Sequence, residues 1–238
     1  MGMNKRDLRE RIWDELEERG VARFPFPPHG RIPNYAGADD AAERLAGLDA
    51  WQSAEVLKAN PDAPQLPVRR AALRQGKTLY TAVPRLRDEE CFLRLDPEVI
   101  DDIDHATTVG GSAEVGEQVG PEDVDPIDLI VSGSVAVTER GARVGKGEGY
   151  SDLEFAILRE FGLVDDRTRT ATTVHEIQVV DDEVPTSPHD VPIDAVVTPE
   201  RALRTGPGNE RPRGIDWDRL DEERTDEIPI LRRMKSGV

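Results

Sequence analysis

Residues 127–162 read "IDLIVSGSVAVTERGARVGKGEGYSDLEFAILREFG". "IDLIVSGSVAV" is a near-continuous apolar run, the pattern of a strand covered on both faces. "GARVGKGEG" then sets Gly141, Gly145, Gly147 and Gly149 around Arg143 and Lys146. "YSDLEFAILREFG" reads as a helix. Ser151 with Glu154 predicts a capping box, Leu153, Ile157 and Phe161 recur on one face, and Gly162 supplies the stop. Buried strand, glycine loop and amphipathic helix in succession make a unit of α/β architecture with a largely parallel sheet.

The flanking sequence repeats that alternation. "NKRDLRERIWDELEER", residues 4–19, places Leu8, Ile12, Trp13 and Leu16 at helical spacing before Gly20. The Pro-rich connector "RFPFPPHGRIPNYAG" is expected to dock across the domain through Phe24, Phe26, Ile32 and Tyr35. "ADDAAERLAGLDAWQSA" reads as a helix capped by Asp39 or Asp40, with Ala42, Leu45, Ala46 and Leu48 on one side. "EVLKAN" is a short strand, and "PVRRAALRQGKTLYTAVP" a helix, a Gly76 stop and a strand. Beyond the glycine loop, "TATTVHEIQVV" and "IDAVVTP" are two further buried strands. Residues 96–126 are acidic and glycine-bearing and show no period that places an element. No internal repeat and no linker divides the chain. The expectation is one α/β domain, residues 3–204, with a mostly parallel central sheet flanked by helices. The charged Pro/Gly-containing tail, residues 205–238, is expected to be peripheral or partly disordered.

Asp and Glu number 48 against 31 Lys and Arg, for a formal net charge of -17, and only five of the basic residues are Lys. An acidic, Lys-poor, Arg-rich surface suits a cytoplasm rich in salt, where screening removes self-repulsion. An ordinary acidic protein is the alternative. Either way no nucleic-acid partner is expected, since one needs a basic footprint. Aromatics make up 5%, so Val, Leu, Ile and Ala must build the core. Cys91 stands alone, which excludes a disulfide framework or thiolate metal cluster. No apolar run approaches a membrane span, and "MGMNKRDLRE" lacks both a signal-peptide apolar region and a myristoylation Ser or Thr. A soluble, reduced, cytoplasmic protein without a membrane partner is expected.

The chemistry should lie at residues 141–152. A helix N-terminus offers free N–H groups and partial positive charge, and glycines ahead of it let a phosphate come close. Arg143 and Lys146 add full charges. Asp152 in the first helical turn satisfies the helix dipole, or holds Mg²⁺ against a bound triphosphate; Glu148 is a second acidic candidate. The spacing is neither a Walker loop nor the dinucleotide fingerprint. A glycine turn without a ligand accounts for the same pattern. His175 reads as a core histidine or a substrate contact, and His189–Asp190 as an acid/base pair or a turn. No zinc-ligand spacing and no serine-hydrolase elbow is present.

Gly141, Arg143, Gly145, Gly147, Gly149, Tyr150 and Asp152 match the G-x-R-[LI]-G-x-G-x-G-[YF]-x-D loop of the 5-formyltetrahydrofolate cyclo-ligase family, also called methenyltetrahydrofolate synthetases. "KRDLR" resembles its K-x-x-[LI]-R, through Lys5 and Arg9. "PTSPHDVPIDAVVTP" resembles its P-x-x-x-H-D-x-x-[VI]-D-x-[VI]-[VI]-T, through Pro185, His189, Asp190, Asp194 and Thr198. The resemblance covers most of residues 5–200. It implies a fold of the CoA-transferase and sugar-isomerase type, with ATP and Mg²⁺ as cofactors and a reduced folate as substrate. In that family ATP phosphorylates the formyl oxygen of 5-formyltetrahydrofolate, N10 attacks the activated carbon, and loss of phosphate leaves 5,10-methenyltetrahydrofolate. By the same resemblance Lys5, Arg9, Arg143 and Lys146 contact phosphates. Gly145, Gly147 and Gly149 supply backbone donors, Tyr150 packs on pterin or nucleotide, and Asp152 holds the metal. The chain departs from the cyclo-ligases proper at Lys146, Glu148 and Ser151, and it lacks the E-[VI]-[DN]-[TP] segment whose Glu holds substrate. "RIPNYAGADDAAERLAGL" and "TVHEIQVVDD" resemble the cyclo-ligase-like subfamily that includes the methenyltetrahydrofolate synthetase domain-containing proteins. The alternatives are therefore a paralogue acting as an ATP-binding ligase or kinase linked to thiamine compounds, or a non-catalytic nucleotide- or folate-binding protein.

Overall fold

In the computed structural model, which describes residues 4–206 and 210–237, Asn4 opens the first helix by accepting hydrogen bonds from the N–H groups of Arg6 and Asp7. Position 3, the expected domain start, and positions 207–209 and 238 of the tail lie outside the described residues. Helix α1 (Lys5–Glu18) buries Leu8, Ile12, Trp13 and Leu16, as its spacing predicts. A ribbon of β1 (Ala22–Arg23) and β2 (Asn34–Tyr35) carries the Pro-rich connector. Ile32 and Tyr35 dock, but Phe24 and Phe26 are 78% and 58% exposed, because they lie in the ribbon's turn beyond the Arg23–Asn34 pair.

Helix α2 (Ala38–Ala46) is followed by the single turn α3 (Asp49–Gln52). Its N-cap is Gly37 and not Asp39 or Asp40. Gly37 has φ 85°, and a Cβ there would come within 2.7 Å of Pro199, so the two aspartates fall into the first turn, where the helix dipole favours them. Strand β3 (Val56–Ala59), helix α4 (Leu66–Arg74) and strand β4 (Thr78–Ala82) follow as read, and β5 (Phe92–Leu95) returns beside β4. The stretch without a period holds α5 (Ile103–Ala106), α6 (Val109–Val115) and β6 (Glu117–Val119), each too short to show one.

"IDLIVSGSVAV" is two strands. β7 (Leu129–Val131) and β8 (Ala136–Thr138) belong to different sheets, separated at Ser132, Gly133 and Ser134. A Cβ on Gly133 would sit 2.9 Å from Ile32 Cγ2 and 3.0 Å from Gln65 Oε1, so the chain crosses there at a distance only glycine allows. Strand β9 (Arg143–Val144), helix α7 (Tyr150–Glu160), β10 (Arg169–Thr173) and β11 (Val179–Val180) continue the chain. "TATTVHEIQVV" is thus also split, with His175 capping a short turn between β10 and β11. Strands β12 (Ala195–Val197) and β13 (Ala202–Arg204) and helices α8 (Glu222–Glu227) and α9 (Pro229–Ser236) complete it.

The large sheet runs β13-β12-β10-β7-β3-β4-β5-β6. Its five central strands, β12 to β4, are parallel, and the edge pairings are antiparallel. Strand alternation sends Leu57, Ala59, Leu79, Leu129, Val131 and Ala171 to the face covered by α2 and α4. Tyr80, Ala82, Phe92 and Ile130 face α7. The small sheet β11-β8-β9 packs against α1 through Val135, Ala136 and Val144. The expected peripheral tail instead joins the core. Ile228, Ile230 and Leu231 are fully buried in the α7 cluster, and Arg233 pairs with Glu122 at 2.7 Å. Three apolar side chains on one side of a charged segment are enough to pin it down.

Candidate active site

In a parallel sheet the crevice opens where neighbouring connections leave in opposite directions, at the carboxyl ends of the strands. Here that point lies between β3 and β7. The chain leaves β3 toward β4 on one side, while β7 continues toward β10 and β12 on the other. Asn60 follows β3 and Gly133 follows β7, and Asn60 Oδ1 bridges them by accepting the Gly133 N–H at 3.0 Å. A cleft of about 560 Å³ opens above this bridge.

The glycine loop forms one wall and enters α7. The expected capping box is absent: the N-cap is Gly149, with φ 70° and no side-chain cap. Ser151 Oγ turns inward, donating to Ser132 Oγ at 3.2 Å, and Glu154 is drawn under the cleft to Lys58. The helix start therefore keeps its N–H groups free. Among the described residues, no backbone N–H of residues 145–152 donates to a protein acceptor, and all eight residues line the cleft. A run of unpaired donors at a helix N-terminus is an anion cradle.

Lys5, Arg9, Arg143, Gly145, Lys146, Gly147, Gly149, Tyr150 and Asp152 all line this one cleft. Their present partners separate them. Lys5 Nζ lies 2.7 Å from Asp190, and Lys146 2.7 Å from Glu148, with both lysines part-exposed and free to turn to a ligand. Arg9 Nε donates to the Gly145 carbonyl at 2.6 Å, and burial pulls its guanidinium below its ordinary value. Arg143 is buried and engaged at both ends, donating to Gly133 O at 2.9 Å and to Asp152 at 2.7 Å. It ties β7's exit to α7's first turn. The ring face of Tyr150 is covered by the Arg224 guanidinium, 4.7 Å from its centroid, which also donates to the Glu148 carbonyl. His189 is half-exposed, 3.9 Å from Asp190.

Asp152 accepts from Arg143 through Oδ2 and from the Val191 N–H through Oδ1 at 3.0 Å. Among the described residues no group of three or more His, Cys, Asp or Glu is placed to hold a metal ion. Both carboxylate oxygens of Asp152 are thus engaged within the protein, and it would hold an ion such as Mg²⁺ only as a single protein ligand beside phosphate and water.

Sequence reasoning missed much of the lining. Asn60 and Asp62 come from the end of β3, Glu154 from inside the apolar face of α7, and Arg219 and Arg224 from the tail. Burial pushes the Asp62 carboxyl above the usual carboxylate range, and Glu154 adds to the rise against the pull of Lys146. One signal was available: in a chain with five lysines, Lys5 and Lys146 line the cleft and Lys58 lies beneath it.

Comparisons with known proteins bear on the fold and the family. The NMR structure of the Aquifex aeolicus 5,10-methenyltetrahydrofolate synthetase superposes with a TM-score of 0.56 at 19% identity, covering 87% of this chain and 96% of that one, and so shares its fold. A methenyltetrahydrofolate synthase domain-containing protein of Bos taurus is 41% identical over 238 residues, 98% of this chain and 62% of its own length. The Homo sapiens protein of the same name is 38% identical over 240 residues, again covering 62% of its length. The chain thus spans less than two thirds of these relatives. Residues 2–199 match the profile of one family over most of the chain, and this protein belongs to the 5-formyltetrahydrofolate cyclo-ligase family.

Proposed function

We propose that the protein is an ATP- and Mg²⁺-dependent ligase of cyclo-ligase type. It would convert 5-formyltetrahydrofolate to 5,10-methenyltetrahydrofolate in the one-carbon metabolism of the cytoplasm. The observation that carries this reading is the run of unpaired N–H groups over residues 145–152, ringed by Lys5, Arg9 and Lys146 at the switch point of the sheet. Such a cradle neutralises a polyphosphate and holds its terminal group in line with an acceptor, and phosphoryl transfer asks little more of a protein. The γ-phosphoryl group passes to the formyl oxygen and ADP leaves. N10 then attacks the formyl carbon, and its proton and the phosphate depart to give the methenyl bridge. Lys146 and Lys5 would exchange Glu148 and Asp190 for phosphate oxygens, while Arg9 and Arg143 hold the loop. Asp152 would supply the protein's single ligand to Mg²⁺, which when bound screens the phosphate charge.

One observation favours a second reading, an ATP-binding ligase or kinase acting on another heterocycle. Arg224 occupies the Tyr150 face on which a pterin would pack. Purified protein with Mg-ATP and 5-formyltetrahydrofolate, followed by the absorbance of the methenyl product, decides between them. The expected outcome is product formation with one ADP and one phosphate per turnover. Lys146→Ala should weaken Mg-ATP binding about tenfold or more, as loss of a charge-assisted phosphate contact does. Mg-ATP binding without any methenyl product would replace the first reading by the second.

A further inference from the structure

Lys58 is 1% exposed and Glu154 5%, and they form an ion pair directly beneath the cleft. Lys58 sits in the middle of β3, on the sheet face that elsewhere presents Tyr80, Ala82 and Ile130 to α7. Two charges in such a place cost several kcal/mol each to desolvate, and apolar residues of the same volume hold a fold at least as well. Packing does not require the pair. The geometry of Glu154 shows what it is suited to do. Its Oε2 accepts from Lys58 Nζ and, at 3.4 Å, from Asn60 Nδ2. Asn60 is itself fixed by the Gly133 N–H. Among the described residues no donor reaches Oε1, and Glu154 lines the cleft. An oriented carboxylate oxygen, fixed from behind and free in front, is an acceptor prepared for a ligand.

The chemistry of that ligand follows from its surroundings. Lys5, Arg9, Lys146, Arg219 and Arg224 line the same cleft, and the carboxylates that pair with Lys5, Lys146 and Arg219 are ones an anionic group of a ligand can displace. Glu154 and Asp62, which also line it, disfavour an anion in their own vicinity. Ala82, Val83, Leu153 and Ala156 add apolar lining. A molecule that satisfies all three kinds of lining has an anionic end, apolar flat faces and an edge of neutral N–H donors. We infer that Glu154 anchors the N–H edge of an amino-substituted nitrogen heterocycle, with Lys58 and Asn60 as its positioning residues. This rests on the small-molecule ligase reading and assigns the residue by which that site would recognise its heterocycle. Glu154 is a specificity-determining residue that the glycine motif does not mark.

The test uses the whole chain and calorimetry in the presence of Mg-ATP. The three probes are 5-formyltetrahydrofolate, its analogue with the 2-amino group replaced by methyl, and 4-amino-5-hydroxymethyl-2-methylpyrimidine phosphate. Glu154→Gln alone leaves Lys58 buried without a counter-charge, so Lys58→Met/Glu154→Gln is made beside it, and circular dichroism checks that both fold. The expected result is that at least one amino-bearing probe binds wild type and loses about tenfold or more in the double variant. Wherever the folate binds, its methyl analogue should bind wild type and variant alike. Dependence on Glu154 for the pyrimidine phosphate, with no folate binding, keeps the inference and removes the folate reading. Folate binding and turnover unchanged in the double variant overturn the inference and keep that reading. No binding of either amino-bearing probe to folded wild type overturns the inference.

Discussion

Arg143 and Lys146 are three residues apart in one loop and do different work. Both terminal nitrogens of Arg143 are spent on Gly133 O and Asp152, and the pair is largely buried. Arg143→Met should therefore cost about 3 kcal/mol of stability, measured by urea unfolding, because it strands the Asp152 carboxylate. Lys146→Ala, at a part-exposed side chain, should stay within about 0.5 kcal/mol while losing nucleotide affinity. Equal stability of the two variants would remove Arg143 from its positioning role. His175 offers a second test at this scale. Its Nδ1 accepts the Ile177 N–H at 3.2 Å, its ring packs edge-on to Tyr35, and burial lowers its pKa. Above the unfolded value of about 6.5 both states are neutral and stability is complete. As pH falls below it, the unfolded chain takes up the proton first, and stability drops until the folded imidazole also titrates. The loss in thermal midpoint between pH 7 and pH 5 should be smaller in His175→Gln than in wild type. An equal loss would mean that His175 takes no part in acid unfolding.

Helix α9 carries the test at the level of elements, since the tail that its charge disguises is fastened by Ile228, Ile230 and Leu231. Leu231→Ala should cost about 2–5 kcal/mol, as core truncations do, while Lys235→Ala on the exposed side should be nearly silent. A silent Leu231→Ala would return the segment to the periphery. The same contrast explains what was legible in the sequence. Helices α1 and α4 and strands β3 and β4 have apolar periods that run their full length and end at glycine or proline, so local pattern sufficed. Helix α5, with four residues, is shorter than two turns and leaves no period to read. Strand β7 and strand β8 look continuous because Ser132, Gly133 and Ser134 are small, and only the sheet topology separates them. At the site, the glycine loop was legible because its residues are neighbours in the chain. The Lys58–Glu154 pair joins residues 96 apart, and Ser151 and Glu154 had the spacing of a capping box until tertiary partners claimed them.

Across the whole molecule, a net charge of -17 on 238 residues sets two salt effects against each other. Exposed ion pairs such as Arg201 with Glu139 and Arg204 with Asp49 contribute about 0–1 kcal/mol each and weaken when screened. The unpaired acidic excess repels itself, and that repulsion grows with the square of the charge, so its relief should dominate. Screening lengths fall from about 10 Å at 0.1 M to about 3 Å at 1 M, shorter than most spacings between surface carboxylates. The thermal midpoint should therefore rise from dilute buffer to molar KCl. Neutralising Glu18, Glu43, Glu98 and Asp101, which are exposed and have no ion pair among the described residues, should raise the midpoint in dilute buffer and flatten the salt response. That second measurement matters because a general exclusion of salt from protein surfaces also raises midpoints. Exclusion would leave the salt slope of the neutralised variant unchanged, whereas self-repulsion requires the slope to fall. A variant and wild type with the same slope would show that the acidic surface has no bearing on stability in salt.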